Sequence, residues 1–199
     1  MTRKMLGILV ALLLCCSGPL VADTAFTCPD PGTVKLNTTT LDEIKEAHPY
    51  GSQPGSLSKN GETMEIITYT QTSVRKSLAA AKKVTPARAL SFYFLDGALV
   101  GYVFVSSFKE DHTDFDDAKA SEIKKGETTI EDVEELLGEA CGQWVYPLVA
   151  GEAERALVYS YTQVKGSLFG LKVYIKTLQV TFDSNGVVTD VSLEASGEK

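Results

Sequence analysis

An internal repeat is the feature of this sequence that most constrains its fold. Three short segments recur in the same order with an offset of about 90 residues. The matching segments are Thr39–Ile44 with Thr128–Val133, Thr68–Gln71 with Ser160–Gln163, and Leu90–Phe94 with Leu178–Phe182. Three matches in register are improbable by chance, so the pattern predicts two diverged copies of one structural unit.

Each predicted copy begins with a capped helix. Thr129 is expected to cap a helix over 130–137, with Asp132 completing a capping box and Gly138 ending the helix. In the first copy a shorter helix ends at His48 because the residue before a proline disfavours the α conformation.

Three strands are predicted to follow each helix. Apolar residues alternate with polar ones over 178–182, and turn sequences follow at Asp96–Gly97 and Ser184–Gly186. The predicted fold class is therefore α+β. It consists of two tandem helix-plus-three-stranded antiparallel sheet units, over 35–110 and 111–199, with the helices packed on one face of the sheet.

The N-terminus carries a pattern typical of exported proteins. Arg3 and Lys4 precede the apolar run Met5–Leu14, which is about half the roughly 20 residues that a membrane-spanning helix needs. Residues 1–16 are therefore predicted to be a signal peptide.

Two processing routes remain open at this terminus. The segment Leu13–Gly18 resembles a bacterial lipobox with Cys16 as the lipidated residue, and residues 17–34 would then be a tether. Alternatively, cleavage after Ala22 would release a soluble chain that begins at Asp23.

Export leaves two cysteines in the mature chain, Cys28 and Cys141. An oxidising compartment favours a disulfide between them, and closing so long a loop would stabilise the fold by roughly 4–5 kcal/mol. Two unrelated free thiols are the alternative.

Charge and motifs exclude several classes of function. Removal of the signal peptide reduces the basic residues from 19 to 17 against 26 acidic ones, so the net charge becomes −9 and nucleic acid is not an expected partner. The only histidines are His48 and His112, and no nucleophile, zinc or phosphate-loop motif is present. The acidic stretch Glu110–Asp117 lacks the spacing of a calcium loop and is interpreted as a solvated linker. We expect no enzyme activity, cofactor, metal or small-molecule substrate.

The stretch Ile123–Gly138 carries a family resemblance. Its Gly126, Thr128, Val133 and Leu137–Gly138 pattern resembles the SmpA/OmlA-type (BamE-like) outer-membrane assembly lipoproteins, and the tandem arrangement is similar to the β-lactamase inhibitory proteins. The resemblance implies a small antiparallel sheet behind each helix, and a role in protein binding.

A binding surface is predicted on the sheet face that the helices leave open. The alternation along the strands places Tyr93, Val103 and Thr181 there, and the loop Arg75–Ala87 is the second choice. Two functions follow. The first is a non-enzymatic lipoprotein that scaffolds or assembles another envelope protein, anchored by its lipid to the outer membrane and facing the periplasm. The alternative is a secreted or soluble periplasmic inhibitor of a hydrolase.

Overall fold

The computed structural model describes residues 26–49, 51–72, 84–167 and 170–197. Within these ranges the helices are α1 (Leu41–Ala47), α2 (Asp117–Ala120) and α3 (Ile130–Leu137). The strands are β1 (Ser52–Lys59), β2 (Glu62–Thr72), β3 (Val84–Thr85), β4 (Ala87–Leu95), β5 (Ala98–Ser106), β6 (Gly142–Val145), β7 (Arg155–Ser167), β8 (Gly170–Phe182) and β9 (Val188–Ser196). In the described part of the chain, no helix has the length and apolarity needed to cross a membrane.

The strands form one continuous antiparallel sheet. Its order is β1-β2-β4-β5-β6-β7-β8-β9, and β3 pairs with β7. The predicted fold class of two tandem helix-plus-three-stranded units is therefore wrong. The short strand β6 pairs with β5 through Gly101↔Trp144 and with β7 through Trp144↔Ala156, so it joins both halves of the chain. Joining them in this way removes two sheet edges that would otherwise be unpaired.

The helix starts follow the predicted capping chemistry. Thr129 accepts a hydrogen bond from Asp132 N at 3.3 Å, and Asp132 Oδ2 accepts one from Thr129 N at 2.8 Å. The same reciprocal pair joins Thr40 and Glu43 at the start of α1. These hydrogen bonds, chiefly those from the threonine backbone, lower the pKa of the Asp132 and Glu43 carboxyls. The capping box predicted at Thr129 is confirmed.

Contacts between each helix start and the following hairpin also recur. Leu41 N donates to Gly97 O at 3.2 Å, and Ile130 N donates to Gly186 O at 3.1 Å. The hydroxyls of Tyr69 and Tyr159 donate to carbonyls where α1 and α3 end. The sequence repeat therefore corresponds to repeated local contacts within one shared sheet.

Apolar side chains form three clusters, two on the helix-bearing face of the sheet and one on the opposite face. The cluster under α1 includes Ile44, Tyr69, Phe92, Tyr102 and Phe104. The cluster under α3 includes Val133, Leu157, Leu178, Val180 and Phe182. The opposite-face cluster contains Leu57, Met64, Ile66, Tyr93, Val100, Val103, Trp144, Leu148, Val149, Ala156 and Val158.

The start of the described chain is held against the sheet by a disulfide. Cys28 and Cys141 are joined, with their Cα atoms 5.3 Å apart. Phe26, Val34 and Leu36 pack against the cluster under α1. Residues 26–34, the described part of the predicted tether, therefore belong to the folded body. The predicted signal peptide and Cys16 lie outside the described residues.

Candidate functional site

The side chains predicted to face an open surface are buried. Tyr93 is 6% exposed, and Val103 and Thr181 are each 4% exposed. The Tyr93 ring packs edge-on against Trp144 with ring centroids 6.2 Å apart, and burial raises the pKa of Tyr93 to about 12. The predicted exposure of these three residues is therefore wrong.

The connection between β6 and β7 covers this face. Residues 146–154, which we call the clamped loop, place Leu148 and Val149 in the same apolar cluster as Tyr93 and Val103. Gly101 makes this close approach possible, since a Cβ there would lie 2.4 Å from Leu148 Cδ1 and 2.6 Å from Trp144 Cδ1. The face that alternation predicted to be open is thus occupied by the chain itself.

The turn between β1 and β2 fixes the first half of the clamped loop. Asn60 Nδ2 donates to Pro147 O at 3.0 Å and to Val149 O at 2.7 Å. Lys59 Nζ donates to Leu148 O and lies 5.5 Å from the Trp144 ring centroid. Three successive loop carbonyls are therefore bound by two adjacent side chains.

The ammonium group of Lys59 is partly buried in this position, and two opposing effects act on its pKa. Burial lowers the pKa of its ammonium group, and the negative charge of Glu194 on β9 opposes that shift. The carbonyl of Leu148 and the face of the Trp144 ring are the groups that contact the ammonium. Lys59 thus contributes both a hydrogen bond and a positive charge to the base of the loop.

Glu154 closes the second half of the clamped loop. Its Oε2 accepts from Gly151 N at 2.8 Å, and its Oε1 accepts from Thr189 Oγ1 at 3.2 Å. The residues between these contacts are accessible, because Ala150, Glu152 and Ala153 are exposed. The result is a short exposed tip on a base that is bound at both ends.

In the described part of the first half of the chain, the clamped loop has no counterpart. The corresponding connection, between β1 and β2, is the tight turn Asn60–Gly61, where both residues have positive φ angles. A longer loop held on a rigid sheet is a common location for binding residues. The single proline, the glycine and the two alanines in 146–154 do not indicate in the sequence which residues hold the loop.

The acidic stretch Glu110–Asp117 contains structural ion pairs rather than only solvated charges. Lys176, 2% exposed, binds Asp114 at 2.8 Å and Asp117 at 2.7 Å. Burial lowers the pKa of Lys176, but the hydrogen bonds that its ammonium donates to these carboxylates, together with their negative charge, outweigh that effect and raise the pKa overall. Arg88 binds Asp111 at 2.9 Å in the same way. These pairs fasten the connection between the two halves to the sheet.

The remaining candidates from the sequence are the metal-ligating side chains, the two histidines and the second-choice binding loop. Among residues 26–49, 51–72, 84–167 and 170–197, no group of three or more metal-ligating side chains lies together. His48 packs against Tyr69 with ring centroids 5.2 Å apart, and His112 is exposed. Most of the second-choice binding loop, Arg75–Ala87, lies outside the described residues.

Comparisons with known proteins give limited guidance. No protein-family model and no curated protein match this sequence, so the resemblance to SmpA/OmlA-type lipoproteins receives no support from them. A solved structure from Streptococcus mutans, described as a "putative beta-lactamase inhibitor protein", is similar over 82% of this chain and 91% of that chain. The two share 13% sequence identity with a TM-score of 0.41. At these values the similarity carries no conclusion about function.

Proposed function

We propose that this chain is a non-enzymatic exported protein that binds another protein through the tip of the clamped loop and acts as an inhibitor of an exported hydrolase. The observation that supports this function is the fixed base of the loop. Three consecutive carbonyls, from Pro147 to Val149, accept hydrogen bonds from Lys59 and Asn60, while the tip at 150–153 faces solvent.

A loop that is already held in place before binding favours tight inhibition for a thermodynamic reason. Ordering a mobile side chain on binding costs about 0.5–1.5 kcal/mol, and a loop already held in place avoids part of that cost. Inhibitors of hydrolases are among the complexes whose backbones move little on binding. A narrow exposed tip also fits the concave shape of an enzyme active site.

The proposed compartment rests on two features of the chain. The N-terminal pattern from Arg3 to Leu14 predicts export, and the disulfide between Cys28 and Cys141 is typical of an oxidising compartment. Mass spectrometry of the mature N-terminus distinguishes the two processed forms. A lipid on Cys16 would favour an anchored envelope protein, and a free Asp23 would favour a soluble inhibitor.

Inhibition assays with single-site variants test the proposed function. The mature protein is titrated against purified exported hydrolases, β-lactamases and proteases among them, and affinity is measured by calorimetry for each enzyme that it inhibits. Ala153→Arg places a large charge at the exposed tip and should weaken binding by roughly 30-fold or more if the tip is central to the interface.

Ala47→Arg is the matched control, because Ala47 is exposed at the end of α1 on the other face of the sheet. It should leave affinity unchanged. Equal inhibition by both variants would exclude the tip as the binding site, and a panel with no inhibited enzyme would contradict the inhibitor function.

A further inference from the structure

The two edge strands of the sheet, β1 and β9, differ in the features that prevent another strand from pairing with them. Edge strands expose unpaired backbone groups, which proteins commonly block with proline, lysine or bulges. Strand β1 contains Pro54, which has no N–H to offer to a new partner strand. Strand β9 at the opposite edge has nine residues and contains neither proline nor lysine. Its one irregularity lies near its start, where the register with β8 shifts between Thr181 and Phe182, and the pairing is regular from Asp190 to Ser196.

Within the described residues, most of the outer side of β9 has no partner strand. Its first residue is covered, because Val188 O accepts from Gly126 N at 2.8 Å and Val188 N donates to Thr128 O at 3.0 Å. From Thr189 to Ser196, no strand of the described chain pairs with this side. Every second residue of an antiparallel edge strand directs its N–H and C=O outward, so a template for strand pairing is present.

The two faces of β9 have different chemistry. Leu193 lies opposite Leu178, on the helix-bearing side, and it is the exposed large hydrophobic residue of the described chain, with 47% of its surface accessible. Asp190 and Glu194 lie opposite Thr181 and Thr177 on the other face. Strand β9 therefore presents an apolar side chain on one face and two carboxylates on the other.

The nearby cations only partly balance these carboxylates. Lys125 forms an ion pair with Asp190, but both side chains are more than half exposed. Exposed ion pairs of this kind contribute little interaction energy, because water screens their charges. The charge of Glu194 interacts with Lys59 at longer range. Strand β9 itself contains no basic residue.

We infer that the outer edge of β9 binds, by strand addition, an extended segment of a partner protein in which apolar and basic residues alternate. An apolar side chain of that segment would cover Leu193, and its basic side chains would lie opposite Asp190 and Glu194. Main-chain hydrogen bonds supply affinity in this mode of recognition, and the alternating side chains supply specificity. The net charge of −9 of the mature chain, from 17 basic and 26 acidic residues, opposes a second copy of this chain as the partner strand. This inference does not depend on the proposed function.

Synthetic peptides test the inference directly. Three peptides of equal length are compared by fluorescence anisotropy with the full mature protein: alternating valine and lysine, alternating valine and glutamate, and the lysine peptide with N-methyl groups on alternate backbone amides. Opposite charges on facing strands stabilise pairing, so the lysine peptide should bind at least about tenfold more tightly than the glutamate peptide. The N-methylated peptide keeps its charge but loses backbone donors, and it should also bind at least about tenfold more weakly.

Variants of the protein complete the test. Leu193→Lys removes the apolar contact and adds a positive charge to the edge, so it should abolish the preference for the lysine peptide. Ser56→Lys adds the same positive charge on the exposed β1 edge and should leave affinity unchanged, as should Ala153→Arg in the clamped loop. Equal binding of the N-methylated peptide would show charge attraction alone and overturn the inference. A concentration-dependent dimer that Leu193→Lys abolishes would overturn it in favour of self-association.

Discussion

Asn60→Asp is a sharp test of how the clamped loop is held. The amide of Asn60 donates to two carbonyls, Pro147 O and Val149 O, at 3.0 and 2.7 Å. Two such hydrogen bonds contribute about 1–3 kcal/mol together. A carboxylate of the same size cannot donate and would place a negative charge beside both carbonyl oxygens. The free energy of unfolding at pH 7 should therefore fall by about 2–4 kcal/mol.

Urea denaturation measures this loss, and hydrogen exchange shows where it occurs. The amides of residues 146–154 should exchange faster in Asn60→Asp than in the wild-type protein. Asn37→Asp is the matched control, because Asn37 is also exposed with a positive φ angle of 59°. It should change stability by about 0.5 kcal/mol or less. An Asn60→Asp variant with wild-type stability and unchanged exchange in 146–154 would refute the clamp.

Three further predictions concern the body of the protein. Tyr93→Ala should lower the free energy of unfolding by about 3–5 kcal/mol in urea denaturation, as expected for a buried aromatic ring and unlike an exposed binding residue; a loss below about 1 kcal/mol would contradict its burial. Cys141→Ser opens a link between residues 113 positions apart and should cost roughly 2–5 kcal/mol, which thermal unfolding with and without reductant checks. Burial lowers the pKa of His48 below its ordinary 6.5, so the unfolded chain binds the proton more readily and stability falls as the pH drops below about 6.5. His48→Phe should make urea midpoints less dependent on pH between about 5 and 7, and an unchanged dependence would exclude His48 as a contributor.

The features that the sequence predicted well depend on local chemistry. The capping box at Thr129 requires only that Asp132 lie three residues further on, and both partners are visible in the sequence. The turn at Asp96–Gly97 likewise needs two residues with positive φ angles, which this pair tolerates. These predictions succeed because each depends only on residues that are close together in the sequence.

The features that the sequence did not reveal depend on distant partners. Strand β1 contains Pro54, Gly55 and three serines without clear alternation, a composition typical of a loop, yet β2 pairs along its whole length. Strand β6 has only four residues and is a strand because it fits between β5 and β7. Short segments of this kind acquire their structure from the surrounding sheet rather than from their own propensity.

The error at Tyr93 has the same origin. Alternation along β4 correctly separates Phe92 from Tyr93, since these residues belong to clusters on opposite faces. It contains no information about what covers each face. Leu148 and Val149, more than 50 positions away in the sequence, cover the face on which Tyr93 lies. Gly101 has no side chain and so leaves space for Leu148.

Strand β6 has a consequence for how this chain can be divided. It meets β5 and β7 through three residue pairs on each side, and the other strand pairing between the two halves of the described chain is that of the two-residue strand β3 with β7. A fragment ending near Phe108 would expose the outer edge of β5 and lose the half-cystine at Cys141. Neither fragment would then fold independently, but the two mixed together would retain complementary edges and could reassemble across the cut. The chain should accordingly melt as one cooperative unit, despite the repeat in its sequence.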